Sequence, residues 1–317
     1  VTVNTLPTAN AGPTRTLTCA NTSTTLAGSG GGSYNWSGPG ITAGGTTAAP
    51  TINLPGSYVL TVTSVNGCTA TANTSVTQNT TVPSPTASNS GTLTCLTSTV
   101  SLTGGPGTGV TYQWSGPGFV GGTTSQNAIA NAAGAYSLKV TDAINGCTNT
   151  AVTSVIQNTT TPSPTASNSG ALTCTTPTVG LTGGPGTGVT YQWSGPSFSG
   201  GTTAQNAIAN AAGSFTLKVT SSANGCTNTA VTSVSQNTTT PVATASTAGT
   251  LTCAAPTVTL NSGAAAGATY LWSGPSFTSS IQNPNTSTAG NYTVTVTNST
   301  SGCSSTATTI VTQNVTP

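Results

Sequence analysis

The chain has 317 residues and only four ionised side chains, Arg15, Lys139, Lys218 and Asp142, giving a formal net charge of +2; it contains no His, Glu or Met. That scarcity excludes acid–base catalysis by paired carboxylates or imidazoles and metal ligation by clustered donors, because each needs several titratable or ligating groups in one place. Three scattered cations cannot neutralise a run of phosphates either, so nucleic acid and anionic lipid are not expected partners.

Read along the chain, the second of several similar segments breaks into short alternating runs: TASNSGTLTC, STVSLTGG, a Gly/Pro loop, VTYQWSG, TSQNAIANAAG, AYSLKVTDA and CTNTAVTSVIQ. Turn residues interrupt the chain every 8 to 12 residues or so and no helical period is visible, which predicts an antiparallel β-sandwich of six or seven strands. Within AYSLKVTDA the period of two places Tyr136, Leu138 and Val140 on one face and Ser137, Lys139 and Thr141 on the other. Lys139, and by the same count Lys218, is therefore expected to face solvent. The dipeptides Asn66-Gly67, Asn145-Gly146 and Asn224-Gly225 stand between strand runs and predict two-residue type I′ hairpins; Ser301-Gly302 takes that place in the last segment.

Self-similarity sets the domain organisation. Trp36, Trp114, Trp193 and Trp272 lie 78, 79 and 79 residues apart, and each is flanked by two cysteines in the order Cys19/Cys68, Cys95/Cys147, Cys174/Cys226 and Cys253/Cys303. The period exceeds the roughly 20 to 50 residues of a solenoid and matches a small independent domain. Four repeats follow, at 1–79, 80–158, 159–237 and 238–317. The four tryptophans, together with Tyr58, Tyr136, Phe215 and Tyr292 at the start of a late strand, are assigned to the cores. An aromatic platform for carbohydrate is the alternative for the tryptophans. Regular landmarks of this kind argue against a solvated coil, despite the Gly-, Pro-, Ser- and Thr-rich composition.

The motifs GSYVLTVTSVNGC (56–68), GAYSLKVTDAINGC (134–147), GSFTLKVTSSANGC (213–226) and GNYTVTVTNSTSGC (290–303), each with an LTC upstream, resemble the tandem immunoglobulin-like and PKD-like modules of Bacteroidota surface adhesins and extracellular filament proteins. The resemblance covers essentially the whole chain. It implies an all-β architecture of four tandem immunoglobulin-like antiparallel β-sandwich domains in an extended rod. Related adhesins are stiffened by calcium held on acidic ligands, which this chain lacks, so no metal and no cofactor are expected.

Eight cysteines without other metal ligands point to disulfides and an oxidising compartment outside the cytoplasm. Pairing within each repeat, across 49 to 52 residues, is the simplest arithmetic. Topology opposes it. The mid-strand places of an immunoglobulin disulfide are filled by Val100 or Leu102 and by Leu138, whereas Cys95 lies in the first turn and Cys147 just beyond the last hairpin. Those turns occupy opposite ends of a sandwich, roughly 20 Å apart for six-residue strands, well beyond the ~7 Å limit for disulfide partners. Stacking repeats head to tail brings complementary cysteines together. The preferred pairing is a ladder of Cys19 with Cys147, Cys95 with Cys226 and Cys174 with Cys303, leaving Cys68 and Cys253 for neighbouring subunits or repeats.

The function expected on these grounds is mechanical: a non-enzymatic, extracellular stalk or filament subunit on a bacterial cell surface, self-associating or flanked by further repeats. No stretch approaches the ~18 apolar residues of a membrane helix. Linkers such as 79–88 and 158–167 are short and proline-bearing, which favours fixed orientations between neighbours. The alternative is an adhesin that reads a glycan or partner protein through loops such as 121–127.

Overall fold

The computed structural model describes residues 5–314, all of whose regular elements are β-strands. The chain divides into two compact units, Val1–Thr159 and Thr160–Pro317.

In the first unit, the segment from residue 86 onward forms two facing sheets. One sheet runs Asn127–Ala130, Val100–Gly105, Thr86–Asn89; the other runs Val110–Ser115, Gly134–Asp142, Thr148–Val155; neighbouring strands in each are antiparallel. Leu93–Thr94 pairs in parallel with Gln157–Asn158, closing one edge. The register sets Trp114 opposite Leu138, and Leu138 opposite Ala151. Alternation then turns Tyr136, Leu138 and Val140 inward against Val100 and Leu102 of the other sheet, where all five are buried. Ser137 is half-buried and Lys139 exposed on the outer face, as the period of two requires. The earlier part of the unit repeats the plan, with Arg15–Thr18, Thr69–Asn79, Gly56–Thr63 and Ser33–Ser37 in one sheet and a separate core around Trp36, Tyr58 and Leu60.

The second unit has the same composition. One core gathers Leu181, Trp193, Phe215, Leu217 and Val219, and another gathers Leu260, Trp272, Tyr292, Val294 and Val296. Among the described residues there are thus four apolar clusters, one around each tryptophan.

The repeated Trp-Ser-Gly-Pro sequence has a packing reason. Each indole is buried to 5 % exposure or less, and its Nε1–H donates to a backbone carbonyl, that of Thr47, Gln126, Gln205 or Gln282. Burial in the core is incompatible with a carbohydrate platform. The glycine two residues on lies against the aromatic ring of the late strand: a Cβ on Gly116 would collide with Tyr136, and one on Gly195 with Phe215. The Tyr136 hydroxyl shares its single proton between the carbonyls of Ala132 and Gly118, both at 2.8 Å, and Tyr292 likewise reaches Thr288 at 2.9 Å. This bond from a tyrosine to the chain four residues back pins the corner between the sheets. Phe215 fills the same space without the bond, packed edge-on to Phe198 with ring centroids 5.2 Å apart.

One turn expectation is corrected. Asn145-Gly146 does not form a two-residue hairpin. The ladder closes with Asp142 N–H donating to the Cys147 carbonyl, so residues 143–146 make a four-residue loop, and Gly146 N–H donates back to the Asp142 carbonyl. Of the pair, only Gly146 takes positive φ, at 72°. The asparagine instead uses its side chain, whose Oδ1 accepts the Cys147 N–H at 2.8 Å. Asn224-Gly225 follows the same plan, while Asn66-Gly67 closes a three-residue loop in which Gly67 N–H donates to the Ser64 carbonyl. The dipeptide is diagnostic of a turn, but the loop length, set by where the flanking ladder ends, decides its type.

Candidate functional site

Each LTC sequence ends a short strand or, at Leu172 and Leu251, a single β-bridge, and opens a turn that its threonine closes. Thr18 N–H donates to the Asn21 carbonyl at 2.9 Å while Thr18 Oγ1 accepts the Asn21 N–H at 3.0 Å. Thr94 does the same with Thr97, Thr173 with Thr176, and Thr252 with Ala255. A side chain that satisfies a backbone donor three residues on holds the turn without outside help. The cysteine beside it, Cys19, Cys174 or Cys253, is thereby presented at the surface, where all three are exposed.

The second half of the site is the late hairpin. Asp142, the single acidic residue, accepts the N–H groups of Ile144 and Asn145 on Oδ1 at 2.9 and 3.0 Å, so its charge stabilises the loop. Asn145 is 2 % exposed with every side-chain polar atom paired: Oδ1 takes the Cys147 N–H, and Nδ2 donates to Asn79 Oδ1 at 3.0 Å and to the Thr81 carbonyl at 2.9 Å. Asn149 Nδ2 adds a bond to the Pro83 carbonyl at 3.1 Å. The strand that leaves one sandwich is thus tied to the hairpin of the next.

These two halves meet within the first unit. Cys19 is disulfide-bonded to Cys147, with Cα atoms 4.9 Å apart, and Ala20 N–H donates to the Asn145 carbonyl at 3.1 Å. Cys147 is fully buried. The fit is close, for a Cβ added to Gly146 would lie 2.5 Å from the Ala20 methyl. Within the second unit Cys174 is bonded to Cys303 at a Cα separation of 5.1 Å, and Cys174 N–H donates to the Ser301 carbonyl. Ser301 replaces the asparagine: it too is fully buried, and its Oγ donates to the Thr239 carbonyl at 3.3 Å. Gly302 packs on Thr175 as Gly146 does on Ala20. Both bonds join residues about 130 positions apart that belong to sandwiches with different apolar clusters.

Of the other sequence-predicted cysteines, Cys95 and Cys226 fall in different units, and Cys68 and Cys253 are free thiols, half-buried and exposed respectively. Sequence reasoning took Asn145 and Ser301 only as turn residues and did not single out Thr18 or Thr173; the fourfold recurrence of LTC and the NGC or SGC ending were the available signals. Lys139 and Lys218 stand apart from the junctions on outward strand positions. Among the described residues no group of three or more His, Cys, Asp or Glu side chains assembles, and no helix is long and apolar enough to cross a membrane. A shallow groove near Gly12, Pro13, Ser57 and Asn73 carries neither charge nor an aromatic face. Loop 121–127 is fastened from within, Gln126 Nε2 donating to the Gly104 carbonyl and Thr123 accepting from Trp114 and Gln113.

No protein-family model matches the chain, and no curated protein matches it. Solved structures do. One, described as a Ca2+-stabilised adhesin that helps an Antarctic bacterium reach out and bind ice, is 17% identical, with a TM-score of 0.54 over 99% of this chain and all of that one. The fold is that of immunoglobulin-like, adhesin-type β-sandwiches. The human desmocollin-1 ectodomain (9% identity, TM-score 0.30, 97% and 79% coverage) and sidekick-1 immunoglobulin domains 1–5 (11%, 0.26, 97% and 81%) are more distant. Calcium does not carry over. A Ca2+ site takes six to eight oxygens with several carboxylates among them. This chain has one carboxylate side chain, already bonded to two backbone N–H groups of its own loop.

Proposed function

We propose that this chain is an extracellular structural element of a bacterial surface, a stalk or filament subunit in which successive β-sandwich repeats are locked to one another by a ladder of interdomain disulfides. The observation that carries the reading is the pairing of Cys19 with Cys147 and of Cys174 with Cys303, which joins different sandwiches and leaves each core to hold itself together by packing. A bond inside a sandwich would guard one domain against unfolding. A bond at a junction fixes the hinge, which otherwise moves freely when domain interfaces are small. The repeats we assign are 1–79, 80–158, 159–237 and 238–317, with Cys95–Cys226 proposed as the middle rung.

Disulfides persist in oxidising surroundings, which supports a location outside the cytoplasm. The surface suits that role. It is almost uncharged and built from Thr, Ser, Asn and Gly, with three basic residues to offer a trypsin-like protease. In this reading disulfides do for this chain what Ca2+ does for the Antarctic adhesin, which is described as stabilised by that ion. The PKD-like character and a Bacteroidota source rest on the sequence motifs alone. With the tryptophans buried and loop 121–127 pinned, glycan recognition is the weaker reading; specific retention of the soluble chain on a glycan array would restore it.

Non-reducing peptide mapping tests the ladder. Peptides joining Cys19 to Cys147, Cys95 to Cys226 and Cys174 to Cys303 are expected, and recovery of Cys95 joined to Cys147 overturns it.

A further inference from the structure

The two free thiols are opposite halves of the junction. Cys253 follows Thr252 in the threonine-closed turn, the half that Cys19 and Cys174 provide. Cys68 ends the Asn66-Gly67 hairpin, the half that Cys147 and Cys303 provide. Resting on the ladder reading, we infer that these halves bind each other between two copies of this chain, so that copies join head to tail through a Cys253–Cys68 disulfide.

Three observations carry this beyond the presence of two thiols. First, Thr252 holds its turn with the same pair of bonds as Thr18 and Thr173, so Cys253 is set for a partner before one arrives. Second, Asn66 Oδ1 faces the Cys68 N–H at 3.4 Å where Asn145 Oδ1 accepts that of Cys147 at 2.8 Å, so the hairpin sets its asparagine beside its cysteine although the loop is one residue shorter. Third, the socket is open. A Cβ on Gly67 would meet nothing within 4 Å, where one on Gly146 meets Ala20 and one on Gly302 meets Thr175. Asn66 is exposed and Cys68 half-buried, whereas Asn145 and Cys147 are buried by the turn docked on them. The residue equivalent to Ala20 and Thr175 on the other half is Ala254, exposed and small enough to enter.

Because the halves differ, the contact is heterologous, and each joined pair again presents one of each, so growth continues unless a ring closes. The oxidant is a small-molecule disulfide such as oxidised glutathione. The Cys253 thiolate attacks it, forming a mixed disulfide and releasing one glutathione thiolate. The Cys68 thiolate of the docked copy then attacks the Cys253 sulfur and releases the second. Two protein thiols give up two electrons and two protons, and one glutathione disulfide becomes two glutathione molecules.

The test uses the full chain and its C68S and C253S variants, neither of which touches an internal disulfide, in a glutathione redox buffer read by non-reducing electrophoresis and peptide mapping. The unsubstituted chain is expected to form a series of covalent multimers containing a Cys68–Cys253 peptide. Each variant alone is expected to form no multimer beyond a slow homodimer through its one remaining free thiol. Their mixture is expected to give a covalent dimer at least about tenfold faster than either forms a homodimer, since docking raises the effective thiol concentration. Ala254→Arg, which keeps both thiols but blocks the contact, is expected to slow joining by a similar factor. Homodimers of C68S forming as fast as the mixed dimer, or an Ala254→Arg chain joining at full rate, would overturn the inference as mere thiol oxidation. Persistent thiols at 68 and 253 alongside an intact Cys19–Cys147 peptide would overturn end joining while leaving the ladder standing.

Discussion

Two hairpins of the first unit end in the same three residues, Asn-Gly-Cys, and have different fates. At 145–147 the asparagine is buried with all its polar atoms paired, the glycine is crowded by Ala20, and the cysteine is bonded. At 66–68 the asparagine is exposed, the glycine faces open space and the cysteine is a free thiol. The loops differ by one residue in length, yet both set the asparagine beside the cysteine, and burial at 145–147 comes from the turn docked upon it. What a residue is worth here depends on whether its partner domain has arrived.

The largest way to break the comparison is to remove the bond. Cys19→Ser with Cys147→Ser should cost about 2–4 kcal/mol, the typical worth of a disulfide. Cys68→Ser in an otherwise unchanged monomer should change stability by less than about 0.5 kcal/mol. Hydrogen-exchange protection of the 142–148 and 63–69 amides reads the two effects separately; equal losses would erase the distinction between closed and open hairpins. A smaller asymmetry is expected from the asparagines. Asn145→Ala strands the Thr81 carbonyl and the Cys147 N–H in a buried place, at about 1–3 kcal/mol, while Asn66→Ala leaves groups that water can reach and should cost far less.

The smallest effect concerns pH. Burial raises the pKa of the Tyr58 hydroxyl above its ordinary value, and its single proton is shared between the carbonyls of Leu54 and Pro39. The folded state therefore holds this proton to higher pH than the unfolded chain does. Its contribution is complete below about pH 10 and is lost as pH rises through the raised value. Tyr58→Phe, the residue type nature places at 215, should weaken the first repeat by about 0.5–1.5 kcal/mol at neutral pH. It should also remove that alkaline loss from the melting temperature measured between about pH 9 and 11.

Much of this was legible in the sequence because apolar burial leaves a periodic trace. Tyr136, Leu138 and Val140 alternate with Ser137 and Lys139, and one tryptophan per 79 or so residues marks one core. The opposite placement of the LTC turn and the late hairpin followed from strand counting alone. The finer parts were hidden for physical reasons. Thr18 closes its turn, yet in a chain this rich in threonine nothing in composition separates it from its neighbours. Asn145 read as a positive-φ turn residue because its real work, accepting the Cys147 N–H and reaching Asn79 and Thr81, depends on a linker more than 60 positions away.

The span of the internal bonds has a consequence for biogenesis. Cys19 pairs with Cys147 across 128 positions, and Cys68 and Cys95 lie between them. A polypeptide threaded outward from its amino end presents those two intervening thiols first, so an oxidase acting in order of emergence would close Cys19 on Cys68. Reaching the native connectivity then requires that early bond to be reopened by thiol exchange. Secretion of this protein is accordingly expected to depend on a disulfide-shuffling catalyst as well as on an oxidant.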